Sequence, residues 1–172
     1  MDERQFRNAL AEYATGVTIV TAMTRAGEKI GMTMTSFNSV SLDPPLVLFS
    51  VGLKALSLQA LCDADAYVVN ILARTQEYLS NQFARAASDK WAGVHHTPGH
   101  KGAPRLTNAI AQFECEPHAC YEGGDHLIFL GRVVDFHTSD AATEPLLFFR
   151  GRYHGIAGPR IDVDAWPLPL HY

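Results

Sequence analysis

Five hydroxyl side chains, Thr33, Thr35, Ser36, Ser39 and Ser41, crowd the stretch from Gly31 to Leu42, which otherwise has the make-up of a half-buried strand. Asp43-Pro44-Pro45 ends it, because proline fixes φ, lacks an N–H and restricts the residue before it; Leu46 to Phe49 then opens a second strand. Backbone N–H and C=O groups along a strand edge, with short hydroxyls beside them, suit a flat heteroaromatic ring with a polar rim and a phosphate tail. The same hydroxyls would also solvate one face of an antiparallel sheet. The residues alone leave both readings open.

Other groups that do chemistry are more dispersed. Cys115, His118 and Cys120 have metal-ligating types, but on a regular strand 115 and 120 point to opposite faces, so a metal site there needs a bulge and none is expected. His95, His96 and His100 lie in a glycine- and proline-containing loop without a carboxylate or cysteine at ligand spacing, and read as titrating loop histidines. Glu114 and Glu116 share a strand face and read as solvated. No serine stands in a nucleophile elbow. His126 follows Gly123-Gly124-Asp125 and opens an apolar strand, which places its ring at a sheet rim beside a carboxylate.

The elements that must position these residues follow from periodicity. Residues 2–13 read as an amphipathic helix with Asp2 as N-cap and Phe6, Leu10 and Tyr13 at helical spacing. Residues 17–22 alternate as a strand, and 25–28 turn into the hydroxyl-rich segment. Helices are expected at 55–64 and, capped by Thr75, at 76–87, with a buried strand at 66–72 between them. The segment 88–104 is the longest irregular piece, and loops of that length are usually functional. Strands return at 110–121, 126–138 and 146–152. Six or seven strands with three helices and no β-α-β-α alternation predict a mainly β, α+β fold, a closed antiparallel barrel, and no glycine-rich dinucleotide turn follows a strand.

One domain accounts for 172 residues, with a split-off extended tail expected at 158–172. The net charge of −4, with scattered Lys and Arg, argues against nucleic acid. No apolar run approaches the ~18 residues of a membrane span, the first residues lack a signal-peptide core, and three irregularly spaced cysteines fit a reducing compartment, so a cytoplasmic location is expected.

Taken in order, several segments resemble the flavin reductase-like, FMN-binding split-barrel proteins, specifically the small reductase components of two-component flavin monooxygenases. They are Thr15 to Thr21, Gly31 to Val47, Tyr67 to Leu72, Phe83 with Asp89-Lys90-Trp91, Gly124-Asp125-His126 with Phe129 to Val133, and Pro145 to Tyr153. The resemblance implies a homodimeric, Greek-key-like split β-barrel over 1–157. It implies binding of FMN, with FAD possible, hydride transfer from NADH or NADPH, and supply of reduced flavin to a partner monooxygenase. Carried onto this chain, Met32, Thr33, Met34, Thr35 and Ser36 would line the isoalloxazine, with Ser39 and Ser50-Val51 around the ribityl chain. Lys54 and Ser57 would hold the phosphate, Phe83 and Lys90 would contribute to the flavin site, and His126 would position the nicotinamide. Where the family often has a Ser-Thr pair this chain reads Leu56-Ser57, one hydroxyl fewer, which suits a flavin exchanged as a substrate. The alternatives are a split-barrel electron carrier or FMN-dependent oxidase that does not reduce free flavin, and a barrel without cofactor.

Overall fold

The computed structural model describes residues 1–86, 89–139 and 143–156. In chain order the elements are α1 (Glu3–Leu10), β1 (Thr15–Gly16), β2 (Thr18–Met23), β3 (Lys29–Met34), β4 (Asn38–Leu42), β5 (Pro45–Gly52), α2 (Leu58–Cys62), β6 (Tyr67–Ile71), α3 (Glu77–Ala84), β7 (His96–Pro98), β8 (Pro104–Leu106), β9 (Ala111–Gly123), β10 (His126–Thr138), β11 (Leu147–Phe149) and β12 (Arg152–His154). Seven strands form one sheet in the order β3-β2-β6-β9-β10-β5-β4, antiparallel at every pairing.

The linkage between its edges makes this sheet a barrel. β3 and β4 stand at opposite ends of the order, yet only Thr35-Ser36-Phe37 joins them. Laid flat, seven strands would hold those edges about 29 Å apart, whereas the linker reaches about 14 Å, so the sheet curls until its edges approach. β3 and β4 do not pair with each other, which leaves the barrel split along that seam. The Ser36 hydroxyl fastens one end of it, donating to the Ser50 carbonyl (3.1 Å) and accepting from the Ser50 N–H (2.9 Å).

Two apolar clusters hold the fold. Inside the barrel, Phe49 and Phe129 stack at 5.2 Å and Tyr67 meets Phe49 edge-on at 5.5 Å, surrounded by Val20, Val51 and Val69. Outside it, Ile19, Leu72, Leu79, Phe83, Leu106 and Leu146 form the second cluster. β2 is buried on both faces because alternate residues enter the two clusters, Val20 and Ala22 the inner and Ile19 the outer.

The structure departs from the periodicity in several places. The hydroxyl-rich segment is two strands meeting at Thr35–Phe37, since closing the barrel requires a bend there. The helix expected at 55–64 is a single turn and more over residues 58–62. α3 is preceded by a 3-10 turn at Arg74–Gln76, and Gln76 rather than Thr75 engages the end of the chain before it, its Oε1 accepting from the Ala73 N–H (3.0 Å). The strand expected at 146–152 is a hairpin, β11–β12, turning at Arg150-Gly151 where both φ angles are positive. Within 88–104 lies the start of a second hairpin, β7–β8. The tail expected at 158–172 lies outside the described residues.

A bulge corrects the cysteine geometry. Pro117 pairs with Gly131 and Ala119 with Leu130, so His118 is the extra residue. Cys115 and Cys120 therefore oppose Val133 and Phe129, four residues apart on β10, and lie on the same face of β9 rather than opposite ones. Cys115 is buried and Cys120 exposed, and burial pushes the Cys115 thiol up to about 12.

Candidate functional site

A cleft of about 800 Å³ lies beside β3, with the turn before α2 on one wall and α3 with the Lys90-Trp91 segment on the other. β3 is an edge strand, so half of its backbone groups have no partner strand. Which half is decided by two side chains: Trp91 Nε1 donates to the Lys29 carbonyl (2.9 Å) and Lys90 Nζ reaches the Gly31 carbonyl (3.4 Å). In an antiparallel strand a residue points its N–H and C=O the same way. Residues 29, 31 and 33 thus present their N–H groups to the open edge, while Met34, whose carbonyl accepts from the Thr18 hydroxyl (3.2 Å), faces β2.

Of the residues singled out in the sequence, Met32, Thr33, Lys54, Ser57, Phe83 and Lys90 come together around this cleft. The Thr33 hydroxyl is held by donating to the Ser80 carbonyl of α3 (2.7 Å). Ser57 precedes α2 and makes no capping hydrogen bond, which leaves its hydroxyl free for another partner among the described residues. Lys90 donates to the Phe83 carbonyl (2.9 Å), and burial lowers its ammonium pKa from the ordinary value. Phe83 is fully buried, and its ring meets Trp91 edge-on at 5.0 Å.

The other sequence-derived residues are placed elsewhere. Met34 and Val51 point into the barrel core at 5% and 1% exposure, because closure turns that face inward. Ser36 and Ser50 are occupied with each other at the seam, so their polar groups serve the barrel. Thr35 and Ser39 are exposed, Ser39 on β4 at the far edge. His126 opens β10 opposite Gly52, its Nδ1 2.7 Å from Asp125 Oδ1, and hydrogen bonding and charge from His126 lower the Asp125 carboxyl from its ordinary pKa. The Leu53 N–H donates to the Asp125 carbonyl (2.9 Å), which ties this hairpin to the segment carrying Lys54 into the cleft.

Sequence reasoning passed over Lys29 and did not place Trp91 in the site. Both line the cleft, with Lys29 Nζ 5.1 Å from the Trp91 ring centroid and 3.2 Å from His96 Nε2. The alternation 29, 31, 33 along β3 was the signal available for Lys29. Glu114, read as solvated, is 5% exposed, covered by Arg105 Nη1 of β8 at 3.3 Å and His137 Nε2 of β10 at 3.0 Å, with the His100 N–H of the loop after β7 also donating to it. Among the described residues, only Glu114, Asp135 and His137 gather three metal-ligating groups, and the Arg105 guanidinium already occupies that carboxylate.

The chain is similar to proteins of one family. A "probable flavin reductase" of Rhizobium meliloti is 41% identical over 152 residues, which is 88% of this chain and 48% of that protein, so the chain spans about half that relative's length. The reductase subunit HsaB of a flavin-dependent monooxygenase from Rhodococcus jostii is 38% identical over 96% of this chain and 84% of its own. The solved structure of the Streptomyces globisporus NADH:FAD oxidoreductase SgcE6, in complex with NAD and FAD fragments, superposes with a TM-score of 0.84 at 40% identity, covering 95% of each chain. A family model described as the flavin reductase like domain matches residues 10–157, a span that contains the split barrel, α3 and the Asp125-His126 hairpin; the chain belongs to that family.

Proposed function

We propose that this chain is a reductase that passes hydride from NADH or NADPH to a flavin seated in the β3–α3 cleft, and that as a homodimer it supplies reduced flavin to a flavin-dependent monooxygenase. The observation that carries the reading is the open β3 edge facing a cationic cleft: the N–H groups of Gly31 and Thr33 point into a space also bounded by Lys54, Ser57 and Lys90. That donor set fits a ring with a carbonyl-bearing rim and an anionic tail. A bound flavin supplies the hydride acceptor; the protein has only to bind, orient and shield the reactants.

Each residue then has a defined task. Phe83 and Trp91 form an apolar wall that excludes water, and the Thr33–Ser80 hydrogen bond fixes the distance between β3 and α3. Lys54, Ser57 and Lys90 attract phosphate chiefly as two ammonium groups and a hydroxyl, because α2 has only five residues and its dipole adds little. Asp125 orients the His126 ring by holding Nδ1, which leaves Nε2 directed over Gly52 at the rim, where a nicotinamide can be positioned. The homodimer rests on α1: none of its residues is buried, and Phe6, Leu10 and the following Tyr13 are 51%, 59% and 76% exposed.

The test is oxidation of NADH and NADPH by the purified chain with riboflavin, FMN or FAD added in turn, together with flavin fluorescence titration. Oxidation that depends on added flavin supports the reading. Absence of both flavin-dependent oxidation and flavin quenching overturns it. Sedimentation of the same preparation tests the dimer.

A further inference from the structure

The end of α2 and the far half of β9 meet over one tyrosine. β6 begins at Tyr67 opposite Cys115, so residues 116–123 of β9 project beyond that pairing, on the side from which the chain enters β6 out of α2. The Tyr67 ring stands 6.2 Å from that of Phe129, and its hydroxyl donates to the carbonyl of Leu61 (3.1 Å), the residue before Cys62. Cys120 is paired with Phe129, and directly opposed residues of an antiparallel pair share a face, so its thiol lies on the side of β9 that Tyr67 occupies. Two of the chain's three thiols, Cys62 and Cys120, therefore flank Tyr67, and both are exposed; Cys115 is buried. The electrostatics agree. Burial first, then Cys62, Cys120 and Cys115, raises the pKa of the Tyr67 hydroxyl, and burial, followed by Cys120 and Asp63, raises that of the Cys62 thiol. Charges act in this way only between near neighbours.

What a link between these thiols would do follows from α2. Leu61 is its one buried residue, so the helix can shift at the cost of few contacts. Its backbone continues into the wall of the cleft: the Leu61 N–H donates to the Ser57 carbonyl (3.0 Å), the Leu58 N–H to the Ala55 carbonyl (3.0 Å) and the Ala55 N–H to the Gly52 carbonyl (2.9 Å). Lys54 and Ser57 of that turn line the cleft. A covalent S–S bond is shorter than any contact between two free thiols, so closing it draws the end of α2 toward β9 and the turn with it.

We propose that Cys62 and Cys120 are a peroxide-sensitive pair whose disulfide displaces the Lys54–Ser57 turn and slows the use of phosphate-bearing flavin. The oxidant is hydrogen peroxide, which reduced flavin forms by passing two electrons and two protons to oxygen. Cys120 sulfur, as thiolate, attacks one peroxide oxygen; the O–O bond breaks, a sulfenic acid remains, and the departing hydroxide takes up the thiol proton as water. Cys62 sulfur then attacks the sulfenic sulfur; the S–S bond forms, the S–O bond breaks, and a second water leaves with the Cys62 proton. The two thiols together lose two electrons, and the peroxide is reduced to two waters. The inference rests on the proposed function for the source of the peroxide and for the cleft as the flavin site.

The full chain, reduced and then freed of reductant, is treated with added hydrogen peroxide, which catalase then removes. Thiols are counted in denaturant, and peptides are analysed by mass spectrometry without reduction. Two of the three thiols are lost, a peptide pair joined through Cys62 and Cys120 appears, and Cys115 stays free. The oxidised protein has a severalfold higher KM for FMN with NADH as donor and a smaller change for riboflavin, which carries no phosphate; dithiothreitol restores both. Cys62→Ser and Cys120→Ser are conservative changes at exposed positions, and each makes the KM for FMN insensitive to peroxide. Absence of the joined peptides, a link between two chains in their place, or a link that leaves the KM for FMN unchanged overturns the proposal. Thiol counting needs no flavin, so failure of the pair to form is distinct from absence of flavin-dependent oxidation by the reduced protein, which would overturn the reductase reading.

Discussion

Gly31→Ala probes the packing on which the cleft depends. Gly31 is buried in the middle of β3 and lies outside the left-handed region, so alanine meets no backbone penalty and the effect comes from contact alone. An added Cβ would stand 2.3 Å from Phe83 Cε1 and 2.5 Å from Cδ1. Ordinary carbon contacts are about 3.5–4.0 Å, so the ring has to retreat by more than about 1 Å. Phe83 is fully buried against the outer cluster and has little room to do so. Overpacking of this kind costs about 1–3 kcal/mol. At roughly 2–4 °C per kcal/mol for a domain of this size, the melting temperature falls by about 2–12 °C. The displaced ring also disturbs its 5.0 Å contact with Trp91, so flavin affinity falls with stability. Calorimetry and flavin fluorescence titration measure the two effects. Gly16→Ala, where a new Cβ meets nothing within 4 Å, is the control. A melting temperature within about 1 °C of wild type and an unchanged titration would refute the reasoning.

Other substitutions separate structure from chemistry. His126→Ala raises the KM for NADH while leaving the flavin Kd in place; equal changes in both would remove His126 from the nicotinamide side. Ser36→Ala deprives the Ser50 N–H and carbonyl of their partner at the seam and destabilises by about 1–3 kcal/mol in chemical denaturation, with a smaller effect on KM for NADH. Glu116 is held at about 2, below its ordinary 4.5, by hydrogen bonds from Lys101, His100 and Arg132. Because the folded state lowers this pKa, the stabilisation is complete above pH 4.5 and is lost as pH falls toward 2. Melting curves of wild type and Glu116→Gln should therefore differ by a constant amount above about pH 5 and converge in acid.

Much of the fold could be read from local pattern. The alternation of Val17 to Ala22, the continuous apolar run at 66–72 and the Gly123-Gly124-Asp125 turn identify strands and a hairpin that the structure contains, since side-chain period and turn chemistry act over a few residues. The bulge at His118 and the break at Thr35–Phe37 were not readable in this way. The first is a register event between two strands, and the second is imposed when two distant sheet edges meet.

The site divides along the same line. Its residue types were visible in the chain: hydroxyls on a strand, lysines, a rim histidine and the ordered segments that resemble the flavin reductases. Sequence order by itself determined that β3 follows a hairpin, that a double proline ends the hydroxyl-rich segment, and that Asp125 precedes His126. Only the tertiary structure decided which hydroxyls face the cleft, sending Ser36 to the seam and Met34 into the core while drawing in Lys29 and Trp91 from segments 62 residues apart. The physical reason is that closing a barrel selects one face of each strand for the interior, and β3 lacks a partner on one side only because the seam remains open.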